Sequence, residues 1–490
     1  MAEEVWVGLD LGTQSARALA VSGAGDVLAA AGRRLAGRRD GARHEQDPEA
    51  WWRGACAACA EVLAGIDAGA VRGVACCSTS GTVLVVGPDG RPVTPALMYD
   101  DARAAGEARR VAEAGAATWA ALGYRMGPSW GLPKLAWLLA RGDPPAGARL
   151  THQADVVNRR LAGAEVATDS SHALKSGFEL LAGAWPGDVL EALGIPAALM
   201  PGVVAPGARL GEVCPSAAAA TGIPAGTPVL AGMTDGCAAQ IGAGALAVGA
   251  WNSVLGTTLV LKGVSAELLL DPNGVLYSHR SPDGEWLPGG ASSVGAGVLS
   301  DEFAGRDLQA LDALAAAREP AGAVVYPLVP ARGERFPFSA PGAERLTLGD
   351  AADEVDRYAA LLQGVAFAER LCFDYLDHLG APIDGPLTLT GGAARSRYWC
   401  QLRADVLGRP VRLPEHAEAA LGMAVLAASH ARGSVAAAAG RMVRAGEQIE
   451  PRADRAGRFE ASYRRLVAAL QERGWLDAEV AGHAAGRAAA

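Results

Sequence analysis

Apolar positions in this chain fall into two kinds of run. Short, nearly unbroken ones close on a small or charged residue: Val5-Trp6-Val7-Gly8-Leu9-Asp10, Ala16–Ser22, Val71–Cys77, Val83–Val86 and Pro228–Ala231. Each predicts a buried strand. Longer runs repeat at helical spacing. Asp353–Leu379, with Leu361, Leu362, Val365, Phe367 and Leu371, predicts a long core helix, and Arg458–Trp475 a closing amphipathic one. Asp47 as a cap with Pro48 in the first turn predicts a helix start running into Trp51–Leu63. Pro92–Met98 reads as extended, and turn signals at Pro272-Asn273-Gly274 and Pro282-Asp283-Gly284 predict hairpins within Asp271–Gly290. Tyr326–Phe338 is a Pro-bounded loop whose arginines suit either solvent or a substrate, and Ala484–Ala490 reads as a frayed end. Strand-rich and helical segments alternate in both halves, which predicts α/β layers.

Three stretches bear chemistry. The first is Ala231–Ala245, where a strand stops, Asp235 stands on a turn, and small residues continue into a tightly packed helix. Small residues let a ligand approach the backbone, the setting a general base needs; an Asp N-cap on a buried helix is the alternative. The second is Asp10 followed by Leu11-Gly12-Thr13-Gln14-Ser15, a tight hydroxyl-bearing turn between two strands. Its amides suit a phosphate and Asp10 suits a metal ion, unless it is an ordinary hairpin. It is not a Walker loop, since none of Lys134, Lys175 and Lys262 follows a glycine. The third combines Ser78-Thr79-Ser80-Gly81-Thr82 with Tyr99-Asp100-Asp101-Ala102-Arg103. Hydroxyls, carboxylates and an arginine at strand ends suit a polyhydroxylated ligand, though paired acids near a helix start are also common caps.

Composition narrows the classes. At 490 residues, 50% hydrophobic and 20% charged, the chain is globular and long enough for two or three cores. A net charge of −9 argues against a nucleic-acid surface. No apolar run approaches a membrane span, and Glu3 and Glu4 stand where a signal peptide wants basic residues, so a cytoplasmic protein is expected. The eight cysteines, Cys56-x-x-Cys59 and Cys76-Cys77 included, lack zinc-finger spacing and read as structural thiols.

Taken in order, Asp10-Leu-Gly-Thr13, Ser80-Gly81, Asp101-x-Arg103, Lys134-Leu-Ala-Trp137, Thr168-Asp169-x-Ser171-x-Ala173 and Gly232-x-x-Asp235 resemble the FGGY carbohydrate kinases. The resemblance continues through Asn252–Thr258, Gly391-Gly392 to Ser396, Gln401, Ala404-Asp405, Gly408-x-Pro410-Val411 and Glu418–Gly422, and covers residues 5 to 475. It departs at Gly131, where the family usually has Pro, Ser or Thr. It implies an α/β fold of two actin-like (ribonuclease H-like) domains around a central catalytic cleft: residues 1–245 binding sugar and supplying the base, and residues 246–490 binding ATP, with a hinge near 242–250. It also implies roles. Asp235 is the general base; Ser80, Asp101 and Arg103 bind the sugar together with Asp235; Asp10 lies near magnesium. Gly12, Thr13, Gln14, Gly256, Thr257 and Thr258 contact phosphates, and Gly391, Gly392 and Ser396 contact adenosine. Trp399 stacks on the base or belongs to the core.

ATP and Mg2+ are the expected cofactors and a small sugar the expected partner, with no nucleic acid, no membrane, and a monomer or homodimer. Thr79-Ser80-Gly81 replaces the Met-His-Gly usual in the family's xylulose kinases. With Tyr-Asp-Asp-Ala-Arg, His152-Gln-Ala-Asp155 and Ser170-Ser171-His172-Ala173, the chain looks most like the cyanobacterial and plant-type D-ribulose kinases. The expected reaction is therefore D-ribulose to D-ribulose 5-phosphate, with D-xylulose as the alternative substrate. An actin-like ATPase without a sugar substrate is the rival from another class. A Rossmann dehydrogenase is disfavoured because Gly295-x-Gly297 lacks a third glycine, and a pure sugar-binding module would not need Asp10 and Thr13.

Overall fold

The computed structural model describes residues 4–329 and 333–487. The chain forms two compact units. The first comprises Met1–Gly244, His279–Leu287 and His416–Arg444; the second comprises Ala245–Ser278, Pro288–Glu415 and Ala445–Ala490. Residues 279–287 and 416–444, expected in the second half, thus fold with the first.

The first unit is built on a six-stranded sheet in the order Arg209–Glu212, Pro228–Leu230, Val71–Ser78, Val5–Leu11, Ser15–Ser22, Val27–Arg34. Val5–Leu11 pairs antiparallel with its hairpin partner Ser15–Ser22 and parallel with Val71–Ser78, which in turn pairs parallel with Pro228–Leu230. A strand covered on both faces reads as nearly continuous apolar sequence, and Val5–Leu11 does so because two helices cover it. Val5, Val7, Leu9 and Leu11 join the core that includes Trp51 and Ala55 of the helix Pro48–Leu63. The alternate residues Gly8 and Asp10 share the other face. There the helix Ala419–Arg432 lies against Gly8 so closely that a β-carbon would fall 1.8 Å from the Ala420 carbonyl oxygen.

That helix is gripped from a second side. A β-carbon on Gly422 would fall 1.9 Å from the Ala238 carbonyl oxygen of the helix Asp235–Gly242, and one on Gly242 would fall 2.8 Å from the Glu418 carbonyl oxygen. This proximity is the physical reason why 416–444 belongs to the first unit: its helix covers the face bearing Asp10 and packs beside the one that starts at Asp235.

The second unit repeats the pairing plan. From Trp286–Ser292 its sheet runs through Leu259–Gly263, Trp251–Leu255, Leu387–Thr390 and Val411–Arg412 to Gln448–Ile449. The pairings are antiparallel, antiparallel, parallel, parallel and antiparallel. The first sheet has the same succession starting from Val27–Arg34. The second unit's core is organised by the helix Glu354–His378, N-capped by Asp353, whose side chain accepts the Asp356 N–H. Glu369 on that helix is fully buried and bonds Arg403 Nε at 2.6 Å and the Ser253 hydroxyl at 2.6 Å, tying two helices to the strand Trp251–Leu255. All eight cysteines are free thiols. The expected closing helix is Glu460–Glu472, and a further helix, Ala478–Gly486, takes in the first three residues of the expected frayed end Ala484–Ala490; residues 488–490 lie outside the described residues, as do 330–332 of the Pro-bounded loop.

Gly422→Ala is expected to destabilise the protein by about 1–3 kcal/mol through overpacking against the Ala238 carbonyl. Gly440→Ala, in a helix where nothing stands within 4 Å of the new β-carbon, should be neutral or stabilising by up to about 1 kcal/mol. Urea unfolding of the two variants beside the wild type checks the contrast; equal effects would refute the close-packing account.

Candidate active site

In the first unit, three neighbouring parallel strands end together. Asp10 lies one residue before the end of Val5–Leu11 and is in register with Cys77. Ser78 ends the next strand and bridges to Thr234, beyond the third. Ser80 therefore follows the middle strand closely and Asp235 follows the outer one, at the carboxyl ends where ligands of open α/β sheets bind.

Asp235 is the first residue of the helix Asp235–Gly242, and its Oδ1 accepts the Gly236 N–H at 2.8 Å. The N-cap position belongs to Thr234, so Asp235 is not the cap. Thr234 is held by Ser171, whose hydroxyl accepts the Thr234 N–H at 3.1 Å and lies 3.1 Å from Thr234 Oγ1 and 3.1 Å from His279 Nδ1. Behind it, His172 Nε2 meets the Ser78 hydroxyl at 2.8 Å while its Nδ1 meets Asp169 at 2.6 Å. Burial works against the His172 imidazolium, but Asp169 outweighs it and raises the pKa above its ordinary value.

Asp10 is pushed up to about 6, first by burial and then by the charge of Asp235, with Glu418 adding to the effect; Arg17 and the Cys77 thiol oppose it. The carboxylates of Asp10, Asp235 and Glu418 thus share one neighbourhood. Among the described residues no three His, Cys, Asp or Glu side chains converge closely enough to enclose a metal ion. A single carboxylate nevertheless suits magnesium, which keeps waters and takes substrate phosphates as its other ligands. The turn after Asp10 is tightly made. The Gly12 N–H donates to the Ser15 carbonyl at 2.9 Å, and Gln46 Nε2 donates to the Thr13 carbonyl at 2.6 Å while its Oε1 accepts the Trp51 indole N–H at 2.7 Å. Thr13 is half-buried and Gln14 exposed.

The expected sugar residues divide. The Ser80 hydroxyl is buried and has no hydrogen-bond partner among the described residues. Asp101 is fully buried with both oxygens engaged: Oδ2 accepts the His44 N–H at 2.9 Å and Arg103 Nη2 at 2.7 Å, Oδ1 accepts the Arg103 backbone N–H at 3.1 Å, and Arg103 also reaches Glu45 at 2.7 Å. Burial alone would raise Asp101, but Arg103 and the backbone N–H groups outweigh it and hold it below the usual carboxylate range. Asp101 and Arg103 therefore brace each other. Lys134, noticed in the sequence only as part of a motif, is fully buried and donates to the Gly81 carbonyl at 2.8 Å and the Met98 carbonyl at 2.6 Å. It ties the Ser80–Gly81 turn to the segment before Asp101.

In the second unit, Gly256–Thr258 is the turn between the strands Trp251–Leu255 and Leu259–Gly263. The Ala296 N–H donates to the Gly256 carbonyl at 2.8 Å and the Gly297 N–H to the Thr257 carbonyl at 3.2 Å. A β-carbon on Gly295 would fall 2.5 Å from the Thr257 carbonyl oxygen, so Gly295-x-Gly297 is the floor under this turn. Gly391 has φ 87° and ends the strand Leu387–Thr390 against Leu255; Gly392 is exposed with open space beside it. Ser396 caps the helix Arg397–Leu407, accepting the Trp399 N–H at 3.0 Å and donating to Asp312 at 2.6 Å. Trp399 itself is only 3% exposed and its indole N–H donates to the Leu362 carbonyl at 3.2 Å, so it is a core residue with no open face for stacking.

Comparison with known proteins agrees over nearly the whole chain. The model for the N-terminal domain of the FGGY family of carbohydrate kinases matches residues 5–242, and that for the C-terminal domain matches residues 251–431. The xylulose kinase of Streptomyces coelicolor is 32% identical over 485 residues, covering 95% of this chain and 96% of the relative. The gluconokinase of Bacillus subtilis is 26% identical over 452 residues, 86% of each chain. The crystal structure of xylulose kinase from Rhodospirillum rubrum, at 28% identity, covers 96% of this chain and 99% of its own with a TM-score of 0.85. No helix of the described residues is long and apolar enough to cross a membrane.

Lys134 supplies a pH test of the clamp. Burial depresses it from 10.5 to about 7, with the Asp101 charge opposing the shift. Between those values the unfolded chain binds the proton more strongly, so stability rises as pH rises from 7 towards 10.5 and the cost of the buried ammonium is full below pH 7. The stability of wild type relative to Lys134→Met is expected to rise from pH 7 to pH 10 in urea unfolding. A difference independent of pH would refute the desolvated ammonium.

Proposed function

We propose that this chain, which belongs to the FGGY family of carbohydrate kinases and is an ATP-dependent phosphotransferase acting on a sugar, is a ketopentose kinase that prefers xylulose. The observation that supports a sugar at the first unit's strand ends is the buried, unpartnered Ser80 hydroxyl. An orphaned hydroxyl is costly unless a ligand hydroxyl completes it. The preference for xylulose over the D-ribulose favoured by sequence motifs draws on the relatives: those of Streptomyces coelicolor and Rhodospirillum rubrum both bear the name xylulose kinase.

Within this reading Asp235 accepts the proton of the attacking sugar hydroxyl, whose oxygen forms the new bond to the terminal phosphorus of ATP as the bond to ADP breaks. Ser80 bonds a sugar hydroxyl, while Asp101, Arg103 and Lys134 hold the surrounding segments in place. The amides and hydroxyls of Gly12, Thr13, Gln14 and of Gly256, Thr257 and Thr258 bind phosphate oxygens, and Gly391, Gly392 and Ser396 form the adenosine segment. Asp10 would hold magnesium, which supplies charge neutralisation on the phosphates. Phosphoryl transfer asks mainly for positioning and charge stabilisation, and these groups suffice for both.

ADP release measured across D-xylulose, D-ribulose, L-ribulose, gluconate and glycerol tests the reading. D-xylulose is expected to give the highest kcat/KM, and Asp235→Ala to lower kcat by roughly 10²–10⁴-fold. Asp10→Asn is expected to lose turnover yet unfold at a higher temperature than wild type at pH 7, because its carboxylate is buried beside two others. Preference for D-ribulose would reverse the substrate assignment, and failure of every sugar to exceed the ATP-only rate would sink it.

A further inference from the structure

Apart from the strand-end site, the second unit contains a cavity of about 410 Å³ at the opposite end of the strand Leu387–Thr390. Its wall includes Gly385-Pro386-Leu387, where the strand begins, whereas the candidate adenosine segment starts at Gly391, where it ends. Four arginines line it, Arg370, Arg409, Arg412 and Arg487, against two carboxylates, Asp374 and Asp384. In a chain of net charge −9 this is a local reversal of sign.

The four guanidiniums are not equally satisfied. Arg370 is paired with Glu460, and Arg487 with Asp374 and Asp377. Asp374 also accepts the Tyr463 hydroxyl and is thereby fully used. Arg409 and Arg412 have no carboxylate within ion-pair distance among the described residues. Arg409 donates to the Ile383 carbonyl at 2.6 Å and to the Gly385 carbonyl, and stands 5.7 Å from the Phe373 ring centre. Arg412 is exposed and uses only Nε, on Gln448 at 3.2 Å. Burial lowers the pKa of Arg409 and the charge of Arg487 lowers it further, with Asp384 and Glu369 offsetting these only in part. Guanidinium groups with free donors in a concave wall match the oxygens of phosphate and carboxylate groups.

We infer that this cavity binds a small molecule bearing at least two anionic groups, phosphate or carboxylate, through Arg409 and Arg412, at a site separate from the one that takes ATP. The volume lies within the range of small-molecule pockets. A neutral sugar would leave the guanidiniums without counter-charge, so the ligand is not the kinase's acceptor. The four-residue strand places the cavity roughly 13 Å from the Gly391 turn at about 3.3 Å per residue.

Isothermal titration of the full-length protein with pyrophosphate and with citrate, at an ionic strength held constant with KCl, tests this directly. At least one is expected to bind wild type saturably, and Arg412→Glu to weaken that binding roughly tenfold or more while leaving sugar-dependent ADP release unchanged. Binding of pyrophosphate alone would identify a phosphorylated ligand, of citrate alone a carboxylate one. Because Arg412 is exposed and outside the core, the variant should fold, and circular dichroism verifies it. Equal affinity in wild type and Arg412→Glu, or heat from neither anion beyond the KCl blank, would overturn the inference.

Discussion

The packing of the helix Ala419–Arg432 onto backbone, with no side chain between, is the constraint on which the first unit depends. Gly8 and Gly422 remove the β-carbons that would otherwise hold the strand Val5–Leu11 and the helix Asp235–Gly242 away from it. Gly232 does the same beside the middle strand, where a β-carbon would fall 1.8 Å from the Cys76 carbonyl oxygen. Close approach is what brings Glu418, at the start of that helix, and Asp235, at the start of its neighbour, into electrostatic reach of Asp10. Larger residues at these positions would separate the elements, and the carboxylates would sit in water as independent acids.

Bringing those acids together opposes folding. Asp10 is pushed up to about 6, first by burial and then by the charge of Asp235. The second unit shows the contrasting solution. There Glu369 is fully buried and meets Arg403 and Ser253 directly, so its charge is matched within the protein. One carboxylate is ion-paired and joins secondary-structure elements; the other, at a strand end, has no ion pair among the described residues and is only partly offset by Arg17 and the Cys77 thiol. A fold whose only requirement was stability would not keep the second kind, which supports the role proposed for Asp10.

Much of the framework was legible because it rests on local rules. Asp47 caps its helix, the apolar runs are strands, and Glu354–His378 follows the expected periodicity. What escaped the sequence was set by contacts distant along the chain. Nothing local assigns 416–444 to the first unit, since the determinant is the space left by Gly8, over four hundred residues earlier. Gly295-x-Gly297 resembled a broken dinucleotide motif, but its glycines serve the carbonyl of Thr257. Trp399 is core because its indole finds the Leu362 carbonyl, a partner no periodicity reveals. Lys134 could have been suspected earlier: a lysine amid Leu132, Leu135 and Ala136 in a chain with so few lysines is unusual, and a buried ammonium requires carbonyl partners.

The repeated sheet plan, invisible as a sequence repeat, bears on the proposed division of labour. In each unit the first hairpin turns through the same tripeptide, Leu11-Gly12-Thr13 and Leu255-Gly256-Thr257. The strand pairing next to it in parallel ends at Ser78 in one unit and at Thr390 in the other, each followed closely by a positive-φ glycine, Gly81 and Gly391. What differs is the residue before the shared leucine: Asp10 in the first unit, Val254 in the second. Two copies of one turn thus present similar backbone amides, but only the first adds a carboxylate. Backbone amides bind phosphate without changing protonation state, whereas chemistry at a hydroxyl needs a group that accepts a proton. In the proposed reading the asymmetry gives the first turn a carboxylate suited to magnesium, the proton acceptor Asp235 standing on the separate helix Asp235–Gly242, and leaves the second turn to bind through its backbone.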